Sequence, residues 1–455
     1  MNEILAYLIG IGPYVLIALG AGVAIVAMLP WAWNNAEKWL FWAVFALSFG
    51  LAAGDPSAEG SALKQITWST FFLIVAALLF FSQKADGKIT FQQIPFALLV
   101  LMIWIFASVL WSPEHFVSLK RAIQALGIVL VSLLIGRMAL KGKTLLQLVA
   151  IPSLVLIYIG LIMAVLMHSV AFDTDGSFRG ITSHKNSWGQ ISLIASLVSL
   201  FLWMETRRKV AIFLFALMPC VASLVLTRST TSLLSFLLIG GGFTLWRMIN
   251  TKEVIGKVIL LISAMGICIG FLAYLVYSGD WPLDAFSDLI YRSTGKDQTL
   301  TGRKYLWELM FQEIYKHPWL GIGYGGFWTN GMGPSSILVA KLNWGPPVQA
   351  HNGYIDIINE IGIIGASIFA VSLVFHLKNL RTLAKTSSSQ SALFHSAILI
   401  SALLINYTES SLLRTTHIWW LMICASMLEV HLLTLKPSAA RTPSINVAAT
   451  SVLYG

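Results

Sequence analysis

Thirteen apolar runs of fifteen residues or more constrain this chain more tightly than anything else in it: 4–29, 39–53, 66–82, 94–110, 122–136, 145–168, 188–204, 210–226, 231–246, 258–277, 353–376, 392–408 and 416–433. A helix needs about 20 residues to cross the hydrocarbon core of a bilayer, within a range of about 17–25, so most of these runs can span and 39–53 is the marginal one. Twelve or thirteen transmembrane helices are therefore expected. The composition excludes the competing classes. With 57% hydrophobic and 11% charged residues, against about 25% charged in soluble domains, the chain is neither disordered, nor collagenous, nor a disulfide-stapled secreted domain, and a cytosolic enzyme on a dinucleotide-binding core does not fit it. Cys220, Cys268 and Cys424 all lie inside apolar runs, without the paired spacing that a disulfide framework or a zinc cluster requires. The reading is of a polytopic integral membrane protein with no metal site and no cofactor.

A net charge of +10 raises the question of nucleic acid. A nucleic-acid binder gathers its bases on one face, whereas here they come in ones to threes between apolar runs, the pattern that the positive-inside rule produces. No cleavable signal peptide is expected, because the first run has no basic segment before it and exceeds an ordinary signal core. Alternate loops are assigned to the cytoplasm so that Arg207, Arg208 and Lys209, then Arg247, Lys252 and Lys257, then Lys378, Arg381 and Lys385 lie inside. The same parity puts Lys38, Lys84, Lys88, Arg137, Lys141, Lys143, Lys436 and Arg441 inside as well. The short outer loops keep only Lys64, Lys120, Arg121, Arg179, Lys185, Arg228 and Arg414. The carboxyl terminus is then cytoplasmic, and the side of the amino terminus turns on whether 39–53 crosses.

Five segments follow: amino-terminal spans over 1–170, central spans with outer-face turns over 171–277, a large outer loop over 278–352, carboxy-terminal spans over 353–435, and a cytoplasmic tail over 436–455. Only Asp356, Glu360 and Glu429 bring a charge into a run, each near its end, which leaves an ion-coupled transporter or a proton relay little to work with. The outer loop opens with Asp280, Asp284 and Asp288. From Arg303 onward, Leu306, Trp307, Met310, Phe311 and Ile314 recur at helical spacing with Lys304, Glu308 and Glu313 opposite, until His317-Pro318 stops the pattern. This predicts an amphipathic helix lying over the membrane-facing surface. The glycines of 321–326 lack the strand and helix that would flank a dinucleotide loop, so a turn with close backbone approach is the better reading; Gly345-Pro346-Pro347 follows further on.

Three outer-face places could carry chemistry. Asn352 is a candidate N-cap, which puts His351 just before a helix amino terminus, where the dipole lowers an imidazole's pKa and leaves it able to accept a proton. Asp356 and Glu360 share one face of the following helix, so that face should meet polar partners rather than lipid. Arg228 stands in the short turn 227–232, where capping hydroxyls, backbone N–H groups and a guanidinium make a phosphate site. Arg303 opposes the dipole of its own helix and is a functional candidate for that reason. Loop 169–187 adds Arg179, His184, Lys185 and Asn186. The plain alternatives are an interfacial histidine that only hydrogen-bonds, an arginine snorkelling to headgroups, and a solvated surface charge.

At these residues the chain resembles a known family. His351-Asn352, followed after nine residues by Gly362 and then Gly365, is similar to the signature of the bacterial O-antigen ligase and polymerase superfamily. Gly302-Arg303, Leu306-Trp307 and 317–323 (His-Pro-Trp-Leu-Gly-Ile-Gly) resemble the stretch that precedes it in the same family, and 183–186 with Gly189 resembles the branch of exopolysaccharide polymerases. The likeness covers roughly residues 175–430. One departure stands out: members often carry a base just after the serine of the arginine turn, where this chain has Thr230, so the role passes to Arg228.

The resemblance implies an all-α membrane glycosyltransferase with its site facing the periplasm, in the bacterial inner membrane. It implies transfer of an oligosaccharide from undecaprenyl diphosphate to an acceptor glycan, with a chain-length regulator as a further partner and no nucleic acid. Catalytic roles fall to His351 as base and to Arg303 and Arg228 as cations on the diphosphate leaving group. Substrate binding falls to Arg179, His184, Lys185, Asn186, Asn352, Tyr324 and Trp307, with Trp319, Trp328 and Trp344 as further stacking rings. An O-antigen ligase acting on lipid A core is the alternative within the class, and a lipid-linked oligosaccharide flippase the alternative outside it.

Overall fold

The computed structural model describes residues 90–250, 303–329, 333–341, 348–386, 389–414 and 417–435, with Val75 and Leu79. The runs 4–29, 39–53 and 258–277, nearly all of 66–82, Asp280, Asp284, Asp288, Trp344, 345–347 and the tail 436–455 lie outside the described residues, and with them the choice between twelve and thirteen spans.

Among the described residues the chain is all-helical, with a single isolated antiparallel bridge between Phe172 and Phe178. The main helices are α1 (Phe96–Ala107), α2 (His115–Leu140), α3 (Leu145–Leu166), α4 (Lys185–Glu205), α5 (Lys209–Leu226), α6 (Thr230–Asn250), α7 (Arg303–Ile314), α8 (Gly353–Thr386), α9 (Ser389–Thr408) and α10 (Ile418–Leu435). Seven of them, α2 to α5 and α8 to α10, are long and apolar enough to cross a membrane. Lipid offers no hydrogen-bond partner to a backbone amide, so a run that spans must satisfy its own N–H and C=O groups, and the helix does so. The ends carry the polar signals. Thr144 caps α3 in a reciprocal arrangement with Gln147, and His184 caps α4 through its Nδ1.

Burial separates central from peripheral helices. α10 is buried from Ile418 through Val430 and packs along α2, while α4 lies between α3, α5 and α6. A helix apolar all round belongs in the middle. α3 and α5 leave Val155, Ile162, Phe213 and Phe215 exposed, the face that lipid would cover. α8 packs on α9 and α1, and α7 lies across α8.

Two expectations need correction. The face that α7 buries is Leu306, Leu309, Met310 and Ile314; Trp307 is half-buried and Phe311 exposed. At 3.6 residues per turn Phe311 stands roughly 120° round from the centre of that stripe, and α7 packs on Phe327, Trp328, Leu338 and Ile355. The second concerns polarity inside the spans, where counting charges overlooked histidine. His376 on α8 and His395 on α9 both meet Ser426 on α10, at 3.2 and 2.9 Å. His395 also meets Glu429 at 3.3 Å, and Glu429 accepts the N–H of Leu145 at 2.8 Å, an orphan donor of the first turn of α3.

Candidate active site

The site is built round a break in α8. Gly362 has φ 68° and ψ 178°, a conformation essentially confined to glycine. The segment 318–323 enters the break and takes over the helix's hydrogen bonds. Ile363 N donates to Pro318 O (2.9 Å) and Ile364 N to Trp319 O (3.2 Å), while Ile322 N and Gly323 N donate to Asn359 O and Glu360 O, both at 2.9 Å. A Cβ on Gly362 would stand 2.1 Å from Trp319 O, and one on Gly321 would stand 2.5 Å from Gly362 N. The glycine-rich stretch and Gly362 are therefore two halves of one backbone joint, while Gly365 leaves room for Trp104 of α1. It fixes the first three turns of α8 against the outer loop.

At the start of α8, Asn352 Oδ1 accepts from Tyr354 N (3.1 Å) and Ile355 N (3.4 Å), as an N-cap does. His351, just before it, has φ 50°, a left-handed backbone that is costly for histidine. Its Nδ1 lies 3.1 Å from Glu409 Oε2. An ionised carboxylate only accepts, so Nδ1 carries the proton in this pair, and the proton-accepting form of the ring has its lone pair on Nε2. Glu409 is the hub of the cluster: Asn186 Nδ2 donates to Oε1 (2.9 Å), Gln349 Nε2 donates to Oε2 (3.0 Å), and Arg303 Nη2 stands 3.6 Å from Oε1. Burial would push this carboxyl up, but the hydrogen bond from His351, the charge that His351 carries once it is protonated, the charge of Arg303 and the hydrogen bond from Asn186 outweigh it and hold it at about 2. Arg303 also donates to Thr408 O at 2.9 Å. The guanidinium that opposes its own helix dipole thus sits on the negative end of α9 and beside a carboxylate.

The loop before α4 joins this cluster through Asn186. Desolvation by the surrounding protein lowers the pKa of His184, which keeps the ring neutral as the cap of α4. Lys185 pairs with Asp175, and that hydrogen bond, followed by those from Ser177, holds Asp175 well below the usual carboxylate range. Arg228, exposed and at φ 51°, donates through Nη1 to Asp175 O at 3.0 Å. Phe178 N donates to Leu226 O at 3.0 Å, which pins the loop to the arginine turn. A continuous chain of contacts therefore runs from Arg228 through Asp175, Lys185 and Asn186 to Glu409, His351 and Arg303. Arg179 stands aside from it, its Nε donating to Val170 O.

Tyr324, expected as a stacking ring, is corrected. It is 2% exposed and its hydroxyl donates to Leu413 O at 2.6 Å, while burial and the charge of Glu360 push the phenol far above its ordinary pKa. Trp328 is likewise buried, its indole donating to Asp356 Oδ1 at 2.8 Å, and Asn352 is spent on the cap. Trp307 is half-buried and donates to Ala350 O, next to His351; Trp319 remains exposed. The sequence reading missed Glu409 and Gln349. Both are polar residues at a boundary between an apolar run and a loop, which is the signal by which the sequence marks them.

Residues 215–370 match the O-antigen ligase family. Over these residues the chain is similar to that family. The exopolysaccharide production protein ExoQ of Rhizobium meliloti (strain 1021) is 26% identical over 294 residues, 60% of this chain and 63% of ExoQ, so the chain spans less than two thirds of that relative's length. The superfamily match takes in Arg228, Arg303 and His351 together with both sides of the backbone joint, while Glu409 and the loop before α4 lie outside it.

Proposed function

We propose that this protein transfers an oligosaccharide from undecaprenyl diphosphate to an acceptor glycan, polymerising exopolysaccharide or O-antigen repeat units on the periplasmic side of the bacterial inner membrane. The observation that carries the reading is the His351–Glu409 pair, an imidazole with one nitrogen held by an ionised carboxylate and the other left to act, set among guanidinium and ammonium groups. In the reaction an acceptor hydroxyl attacks the anomeric carbon of the donor. Its proton passes to His351 Nε2 as the new C–O bond forms, and the bond between sugar and diphosphate breaks with its electron pair going to the diphosphate. Glu409 steadies the imidazolium that results. Charge grows on the departing diphosphate, and Arg303, Arg228 and Lys185 are the cations that answer it; the fork of a guanidinium matches phosphate oxygens without a metal. In this reading Asn186 and His184 are assigned to the acceptor glycan and Arg179 to a peripheral contact, and the surrounding bilayer presents the polyprenyl chain.

Purified protein supplied with one defined lipid-linked repeat unit should give a ladder of products differing by one repeat and release lipid diphosphate. The matched family's description supports a second reading, ligation to lipid A core. Donor that stays unreacted until lipid A core is added establishes the ligase and rejects the polymerase; donor crossing a liposome bilayer without any release of lipid diphosphate would return a flippase.

A further inference from the structure

We propose that Arg414 is a positioning residue for this reaction: gripped by two buried carboxylates of α8, it fixes the segment 409–414 so that Glu409 meets the imidazole of His351. The inference rests on the base role of His351 proposed above. Asp356 and Glu360 lie one turn apart on the face of α8 that looks away from lipid, and both are buried. Arg414 Nη2 is 2.9 Å from Asp356 Oδ2 and Nη1 is 3.7 Å from Glu360 Oε1. The carboxylates reach further. Asp356 takes hydrogen bonds from Trp328 Nε1, Ala350 N and Ser410 Oγ, and Glu360 takes one from Gly325 N at 3.0 Å. Ser410 and Ala350 are the chain neighbours of Glu409 and His351.

Arg414 thus closes a frame in which the two partners of the His351–Glu409 pair are held from behind by the same carboxylate. Gln349 braces the opposite edge, donating to Glu409 Oε2 and accepting from Ser410 N at 3.1 Å. Two carboxylates one turn apart in a buried place repel each other unless a cation stands between them. Without the guanidinium, Asp356 and Glu360 would separate or draw in water, and Ser410 would follow Asp356. Glu409 then loses its register with His351, and misplacement of a reacting group by about 1 Å costs on the order of 10²-fold in rate.

The test compares turnover of one lipid-linked repeat unit, at varied donor concentration, in Arg414→Gln, Arg414→Lys and the double variant Arg414→Gln/Glu360→Gln, with melting in detergent as the control for folding. The double variant matters because it removes the clamp without stranding a second charge. Arg414→Gln is expected to lower kcat on the order of 10²-fold with KM for the donor little changed, Arg414→Lys to recover part of it, and the double variant to melt near wild type yet stay slow. Wild-type kcat in the double variant would reduce Arg414 to charge balance and overturn the proposal, as would a loss confined to KM. His351→Ala run in parallel separates the two readings. If that variant turns over normally, the base role itself falls; if it is inactive while Arg414→Gln is normal, only the positioning role falls.

Discussion

Glu409 decides what His351 can do. By holding Nδ1 it fixes the tautomer and leaves Nε2 to serve as the proposed base, so on that proposal His351→Ala should retain donor binding and lose on the order of 10²–10⁴ in kcat. Single-turnover assays with bound donor read this directly, and normal turnover in the alanine variant excludes a base at this position. The same carboxylate has a stability signature. Its folded pKa of about 2 lies below the ordinary 4.5, so the stabilisation it provides is complete above pH 4.5 and is lost as pH falls toward 2. His417 works in the same direction: burial lowers it from 6.5 to about 4, and its ring caps α10 by accepting from Trp419 N. A histidine that is neutral when folded withdraws stability as pH drops from 6.5 to about 4. Melting in detergent should therefore fall in two acid steps. The upper one is expected to disappear in His417→Asn and the lower one in Glu409→Gln, and unchanged profiles in both variants would reject the assignments. The structure brings His351, Arg303 and Asn186 together on Glu409, and they stand out in the sequence because polar and charged residues are few in a chain this apolar. Tyr324 was misread because nothing in its sequence neighbourhood reveals that Leu413 O is waiting for its hydroxyl.

At the scale of elements, the spans were legible and their irregularities were not. Apolar length alone located α2, α3, α4, α9 and α10, because a bilayer admits few alternatives to a helix. It could not show that α8 is broken, since a run such as 353–376 reads the same whether continuous or interrupted. The glycines at 321, 323 and 362 were visible, but their joint needs two segments about forty residues apart to be brought together in space. The joint makes a prediction. Gly362→Ala forces a side chain against Trp319 O in a conformation that costs alanine about 1–3 kcal/mol before any clash, so melting in detergent should drop clearly and turnover with it. Gly241→Ala on α6 is the control. A Cβ there meets nothing within 4 Å, and alanine outranks glycine in a helix by about 1 kcal/mol, so that variant should melt at or above wild type. Equal melting of the two variants would remove the joint's structural role. The face of α7 was misjudged for a related reason, because periodicity fixes a stripe's spacing while the partner decides its centre.

Across the whole molecule the charges and the contacts agree on two ends. The segments 172–184, 227–229, 318–328, 349–352 and 409–417 meet at one end of the bundle through the hydrogen bonds that build the site. At the other end Glu429 meets Leu145 just past the basic turn 141–144, and Lys209 folds back on Met204 O. That second end carries Arg137, Lys141, Lys143, Arg207 and Arg208, the asymmetry that orients a multi-pass protein with its basic loops inside. The proposed diphosphate site, which would gather Arg228, Lys185 and Arg303 on the outer face, runs against this rule, and a polyanionic donor would be the reason for it. Single cysteines in a cysteine-free background test the arrangement in intact spheroplasts. Ser183 and Ser336, both exposed at the site's end, should be labelled by an impermeant thiol reagent once replaced by cysteine, whereas Lys141→Cys and Arg208→Cys, exposed at the other end, should react only after the membrane is opened. The reverse pattern would place His351 and Glu409 in the cytoplasm and would end the periplasmic reading while leaving the chemistry of the pair intact.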